Sequence, residues 1–167
     1  KRFPEFAALA SGTPSSVEEV RSLLRPGEAL VSYLVTPRTS FVWVLRRERV
    51  VHARLDLGKE EVDRAVARLR RGLDLSTGAV PRYPLEEAHS LFVRLLGPVM
   101  PDLAGAHTLI VVADGALQSL PFGVLVTEPP RREAGSEAYR EAAWMGERFA
   151  LSTLPSENTL AALRRTA

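Results

Sequence analysis

Residues 29–36 and 40–46 are apolar on both of the faces that a strand presents. In the first, Leu30 and Leu34 oppose Val31, Tyr33 and Val35; in the second, Phe41, Trp43 and Leu45 oppose Val42 and Val44. A strand that avoids water on both sides has to lie inside a layered structure with cover above and below. The next stretch, 49–57, alternates instead. Val51, Ala53, Leu55 and Leu57 fall on one side and His52, Arg54 and Asp56 on the other, which suits an edge strand with one wet face. Short polar connections join the three, with Pro37 suited to the first central position of a turn and a charged turn at 46–49. The pattern is an antiparallel meander that belongs to a larger sheet.

The remaining elements supply the cover. Ser16 is placed to cap a short helix through residue 24, with Glu19 three positions on and Val17, Val20 and Leu24 as its stripe. Residues 58–73 carry Val62, Ala65, Val66, Leu69 and Leu73 at helical spacing, with Glu60 and Glu61 in the first turn and Arg70 and Arg71 in the last. After a loop at 74–83, a helix opening at Pro84 turns Leu85, Ala88, Phe92, Leu95 and Leu96 inward and is expected to end at Gly97-Pro98. Residues 107–113 read as a short, fully apolar strand of the parallel kind, breaking at Asp114-Gly115. Residues 127–141 read as a mobile loop and 147–154 as a strand. A last helix is capped by Ser156, with Leu160 and Leu163 on its buried side. The predicted fold is α/β: a three-layer sheet with an antiparallel strand meander on the amino-terminal side and helices packed on it. Residues 1–16, with Pro4, Gly12 and Pro14, read as a linker from an upstream region. The Lys at position 1 and the helical pattern running to Ala167 read as a piece of a longer polypeptide.

The 167 residues suffice for one domain with a sizeable core. The absence of Cys from the sequence excludes a disulfide, a thiolate nucleophile and a Cys-ligated metal in this chain. The net charge is only +2 and the arginines are scattered, most of them sharing a helix face or turn with Glu, so no nucleic-acid partner is expected. No apolar run approaches the ~20 residues of a bilayer-spanning helix, so no membrane association is expected and the chain is read as cytoplasmic.

Chemistry-bearing motifs are sparse. There is no P-loop, no dinucleotide fingerprint and no nucleophile elbow. His52, His89 and His107 are not at metal-ligand spacing, so no metal site is expected, and none is assigned as a base. The pairs Glu60–Glu61 and Glu86–Glu87 sit in first turns of helices, where they favour the helix dipole. Asp114, at the carboxyl end of a buried strand, reads either as a turn residue or as a ligand-site carboxylate. Trp43 reads as core, whereas Trp144, beside the 127–141 loop, is the candidate for contact with a partner. No cofactor is implied.

One stretch goes further. LIVVADGALQSLPFGVL at 109–125 resembles the opening signature of CHAT domains, the caspase-like domains that commonly follow tetratricopeptide repeats. Its Asp114 and Gly115 turn the chain off the strand, Leu117 and Leu120 fold back onto the sheet, and Pro121 and Phe122 plug the end of the layer. ERFALSTLPSENTLAAL at 147–163, with Pro155 and Ser156, is similar to the family's strand, Pro-Ser turn and helix. Residues 23–35 and 42–57 are similar to its preceding meander. The resemblance implies a relation to caspases and separase, cysteine peptidases in which a His acts as base beside a Cys thiolate. The family's His-Gly pair and its Ser-Ala-Cys context do not occur in this sequence. The dyad is expected beyond residue 167, and no catalytic residue is assigned here. Residues 17–167 are then the amino-terminal half of such a domain. This half braces the catalytic half of the same polypeptide and links it to upstream repeats or a sensor domain, with a protein substrate or regulator as further partner. Two other readings stay open: a protein-interaction module acting through residues 127–146, and a small-ligand α/β domain with Asp114 at its site.

Overall fold

The structure is a computed structural model that describes residues 16–76, 78, 82–132 and 135–165. Residues 1–15 of the expected linker therefore lie outside the described residues. The described residues form one five-stranded sheet and six α-helices.

Helix α1, Val17–Leu23, starts at a capping box: the Glu19 N–H donates to Ser16 Oγ (3.1 Å) and the Ser16 N–H to the Glu19 carboxylate (2.8 Å). It ends where Leu24 takes an extended conformation before Pro26-Gly27. Strands β1 (Glu28–Val35), β2 (Ser40–Leu45) and β3 (Val50–Leu55) then form the meander. Its register pairs Leu30 with Leu45 and Val35 with Ser40, then Trp43 with His52 and Phe41 with Arg54. Helices α2 (Lys59–Arg71) and α3 (Leu85–Leu96) carry the chain across to β4 (Thr108–Val112), which lies parallel to β1. After the short helices α4 (Ser136–Glu141) and α5 (Met145–Arg148), β5 (Ala150–Leu154) pairs parallel to β4, and α6 (Glu157–Arg165) follows. The order across the sheet is β3-β2-β1-β4-β5, so the two-sided apolar strands are internal and the alternating one is an edge.

Strand alternation sorts the core into two parts, one per face. Val31, Tyr33, Val42, Val44, Leu109 and Val111 pack towards Val62, Val66 and Leu69 of α2 and Leu85, Phe92 and Leu95 of α3. Leu30, Leu45, Ile110 and Val112 pack on the other side towards Val20, Leu24 and Leu160. The result is three layers, with α2 and α3 on one side and α1 and α6 on the other.

Several local expectations change. Helix α3 does end at Leu96 with Gly97 as its C-cap, but the chain runs on directly into a 3-10 segment, Gly97–Leu103, where Pro98 is tolerated because its missing N–H is no loss in a first turn. Residues 147–154 are not all strand. Met145 and Phe149 are both buried, and that four-residue spacing also fits one helix face, so α5 occupies Met145–Arg148 and the strand begins at Ala150. The same spacing explains α4 within the expected 127–141 loop, where Ala138 and Ala142 are buried. On α6 it is Leu160 and Ala161 that are buried, while Leu163 is 51% exposed. Gly27 is required by geometry: its φ is +78°, and a Cβ there would come within 1.9 Å of the His107 ring.

Candidate functional site

The signature segment lies at the carboxyl ends of β1 and β4. Chain reversal there is fixed by a side chain: Asp114 Oδ2 accepts the Val35 N–H at 2.8 Å, tying the end of β1 to the end of β4. Gly115 follows with φ +57°, in the left-handed region, and opens the 3-10 segment Gly115–Ser119. Leu117 is fully buried, and Leu120 and Phe122 are nearly so, Phe122 packing on Tyr33 with ring centroids 5.8 Å apart. Pro121 is exposed and leads into the turn Phe122–Val124. The guanidinium of Arg70, on α2, donates to Ser119 O at 2.8 Å, so the turn is held from above as well. An open cleft of about 800 Å³ lies beside it, lined by Arg70, Arg71, Leu73, Leu75, Ser119 and Pro121 among others.

Beyond the signature, the chain leaves on an excursion whose two ends are pinned together. Val126 and Trp144 form an antiparallel bridge, the Thr127 N–H donates to Ala143 O (2.8 Å), and the Met145 N–H donates to Leu125 O (2.8 Å). Trp144 is half-buried rather than fully displayed. Its indole N–H donates to Tyr139 O (2.9 Å) and its ring lies 5.8 Å from that of Tyr83. The Tyr83 hydroxyl donates to Val124 O, and burial pushes its pKa up.

The Pro155-Ser156 turn places α6 on the second face of the sheet, with Pro155 exposed. Ser156 Oγ lies 3.2 Å from Thr159 Oγ1, and the Thr159 N–H bonds to Ser156 O. Polar contacts then fix the helix at both ends. The Ser32 hydroxyl donates to Glu157 Oε1 at 2.6 Å, and Arg164 Nη2 donates to both carboxylate oxygens of Glu28, at 2.6 and 2.8 Å. Sequence reasoning missed both contacts. The one available signal is a glutamate opening an otherwise apolar strand.

The structure does not bring the histidines together. His52 is exposed on β3; His89 on α3 lies 3.0 Å from Val126 O through Nδ1; His107 packs over Gly27. Glu61 caps α2, and the Arg94 guanidinium, followed by the Gly58 N–H, holds its carboxyl below the ordinary range. Among the described residues no three His, Asp or Glu side chains are grouped to hold a metal ion. No described helix is long and apolar enough to cross a membrane. Asp114 spends one carboxylate oxygen on the backbone of β1, the work of a turn residue.

Residues 85–167 match the model of the CHAT domain family, the family that the 109–125 signature resembles. The match runs from α3 through the signature turn to α6, while the meander precedes it. No curated protein matches the chain.

Proposed function

We propose that this chain is the non-catalytic amino-terminal part of a CHAT-type cysteine peptidase domain of the caspase and separase kind. In this reading it braces a catalytic half that follows in the same cytoplasmic polypeptide and links that half to an upstream repeat or sensor region. The observation that carries the reading is the edge at β5. Among the described residues this strand pairs only with β4, and Ala150–Leu154 contains neither a charge nor a proline. Natural sheets guard exposed edges with such residues, so an unguarded edge suits the addition of further strands. The signature supports the same reading, because Asp114, Leu117, Leu120 and Phe122 are committed to holding the sheet. Interaction through residues 127–146 is the weaker reading, since Trp144 spends its N–H and its ring on Tyr139 and Tyr83 of its own chain.

The test is peptide hydrolysis by this chain and by a longer polypeptide that runs through the family's Cys. The expected result is no turnover by the first, and turnover by the second that thiol alkylation abolishes. Thr153→Pro on the open edge lowers activity of the longer polypeptide while leaving the chain folded. Turnover by the present chain, insensitive to thiol reagents, refutes the reading.

A further inference from the structure

The two faces of the sheet are not equally covered. On the α2 and α3 side the strand residues are closed over. On the other side α1 and α6 bury Leu30, Leu45, Ile110 and Val112, but the part of the face that runs from Val50 across Trp43 to Leu34 has no helix above it among the described residues. There Val17 and Leu34 are each 46% exposed and Val50 is 36% exposed around a half-buried Trp43, together lining a cleft of about 450 Å³. Three large exposed apolar side chains gathered in one cleft differ from the scattered ones that any surface carries. Phe41 extends the patch, its ring centroid 6.0 Å from that of Trp43.

We propose that this uncovered face is a docking surface for an amphipathic α-helix of a partner polypeptide, with acidic residues along one flank. The helical form follows from continuity. Helices α1 and α6 already make a layer on this face, and a third helix laid beside α1 completes the cover that β1 and β2, apolar on both faces, demand. The acidic flank follows from the register of β3. His52 stands opposite Trp43 and Arg54 opposite Phe41, on the same side of the sheet as Val50, so on the β3 side the apolar patch is bordered by the Arg54 guanidinium. Arg54 donates only a long bond to Thr39 Oγ1 and has no carboxylate partner among the described residues. The acidic groups nearby are Glu157, which lines the cleft and is engaged by the Ser32 hydroxyl, Glu18 and the Ser16-bonded Glu19 beside Val17, and Glu48 and Asp56 at the two ends of β3. The surface thus offers an apolar floor with the Arg54 cation along its β3 side, the complement of a helix with leucines on one face and glutamates on the flank that meets β3.

The probe is a labelled helical peptide of about 14 residues, roughly four turns, with Leu at i, i+3, i+4 and i+7 and Glu along one flank. Its twin has Lys in place of every Glu. Fluorescence anisotropy with the whole chain is expected to give at least tenfold tighter binding of the acidic peptide. Leu34→Ser weakens that binding at least tenfold, and Arg54→Glu reverses the preference between the twins. Both substitutions are at exposed positions, and thermal melts establish that each variant folds. Equal binding of the two peptides, binding of neither, or a preference unmoved by Arg54→Glu overturns the proposal. So does a dimer in sedimentation that Leu34→Ser splits, which assigns the face to a second copy. Tighter binding of a single-stranded oligonucleotide than of the acidic peptide overturns it as well.

Discussion

Replacing Glu28 by Ala tests how the last helix is fastened. Its carboxylate opens β1, accepts two bonds from Arg164 Nη2 and takes a third from the Arg25 N–H at 2.8 Å. The two side chains are only 11% and 20% exposed, so neither charge is well hydrated once the other is gone. Removing one member of a buried pair costs about 3–5 kcal/mol. The remaining water contact of Arg164 places Glu28→Ala near the lower end, about 3 kcal/mol. Arg164→Ala costs less, about 2 kcal/mol, because Glu28 keeps the Arg25 N–H. The two losses describe largely the same contact, so the double variant falls short of their sum by about 1–2 kcal/mol. For a chain of this size 1 kcal/mol moves the midpoint by roughly 2–4 °C, and Glu28→Ala lowers it by about 6–12 °C. Chemical denaturation of the wild type and the three variants gives the cycle. Hydrogen exchange locates the loss, with α6 amides gaining most in rate. Singles that add to within about 0.5 kcal/mol, or a Glu28→Ala protein as stable as the wild type, refute the reasoning.

Further expectations concern the core and the turn. Burial pushes the Tyr33 hydroxyl far above its ordinary value of 10.0, and the hydroxyl has no hydrogen-bond partner among the described residues. Tyrosine in the unfolded chain ionises near 10, so Tyr33 stabilises the fold fully below that pH, and this contribution is lost as pH rises above it. Tyr33→Phe is neutral to about 1 kcal/mol more stable at neutral pH and declines less steeply in alkali; urea titrations across that range check both. Asp114→Ala strands the Val35 N–H and costs about 1–3 kcal/mol, whereas Asp114→Asn keeps an acceptor and costs less, an order that denaturant midpoints verify. Leu117→Ala empties a fully buried position at the signature turn and costs about 2–5 kcal/mol, read as a fall in melting temperature.

Much of this architecture is legible in the residue order because it rests on local periodicity. The two-sided apolar runs at β1 and β2 and the alternation of β3 fix which strands are internal and which is an edge. The 3.6-residue stripes of α2 and α3 fix the layer above them. Legibility falters where two periods coincide. Residues 145 and 149 share a face in either a strand or a helix, and only the backbone bond from the Phe149 N–H to Met145 O decides for the helix. It also falters where a contact spans most of the chain. Ser32 meets Glu157 and Glu28 meets Arg164 across more than a hundred residues, and no local pattern announces either. The signature turn was visible as a motif, but its mechanical role was not: that Asp114 reaches the β1 backbone depends on β1 and β4 being parallel neighbours.

The bridge between Val126 and Trp144 has a consequence for how this fold tolerates change. With both stems of the excursion riveted together and α4 packed on the core through Ala138, what happens to the exposed stretch ahead of α4 is decoupled from the strands on either side. Doubling the length of such a closed segment costs only about 0.6 kcal/mol in closure entropy. The outer part of this arc, near Arg131, is therefore where a reporter sequence can be spliced in, or where relatives can differ in length, with β4 and β5 held in the same alignment.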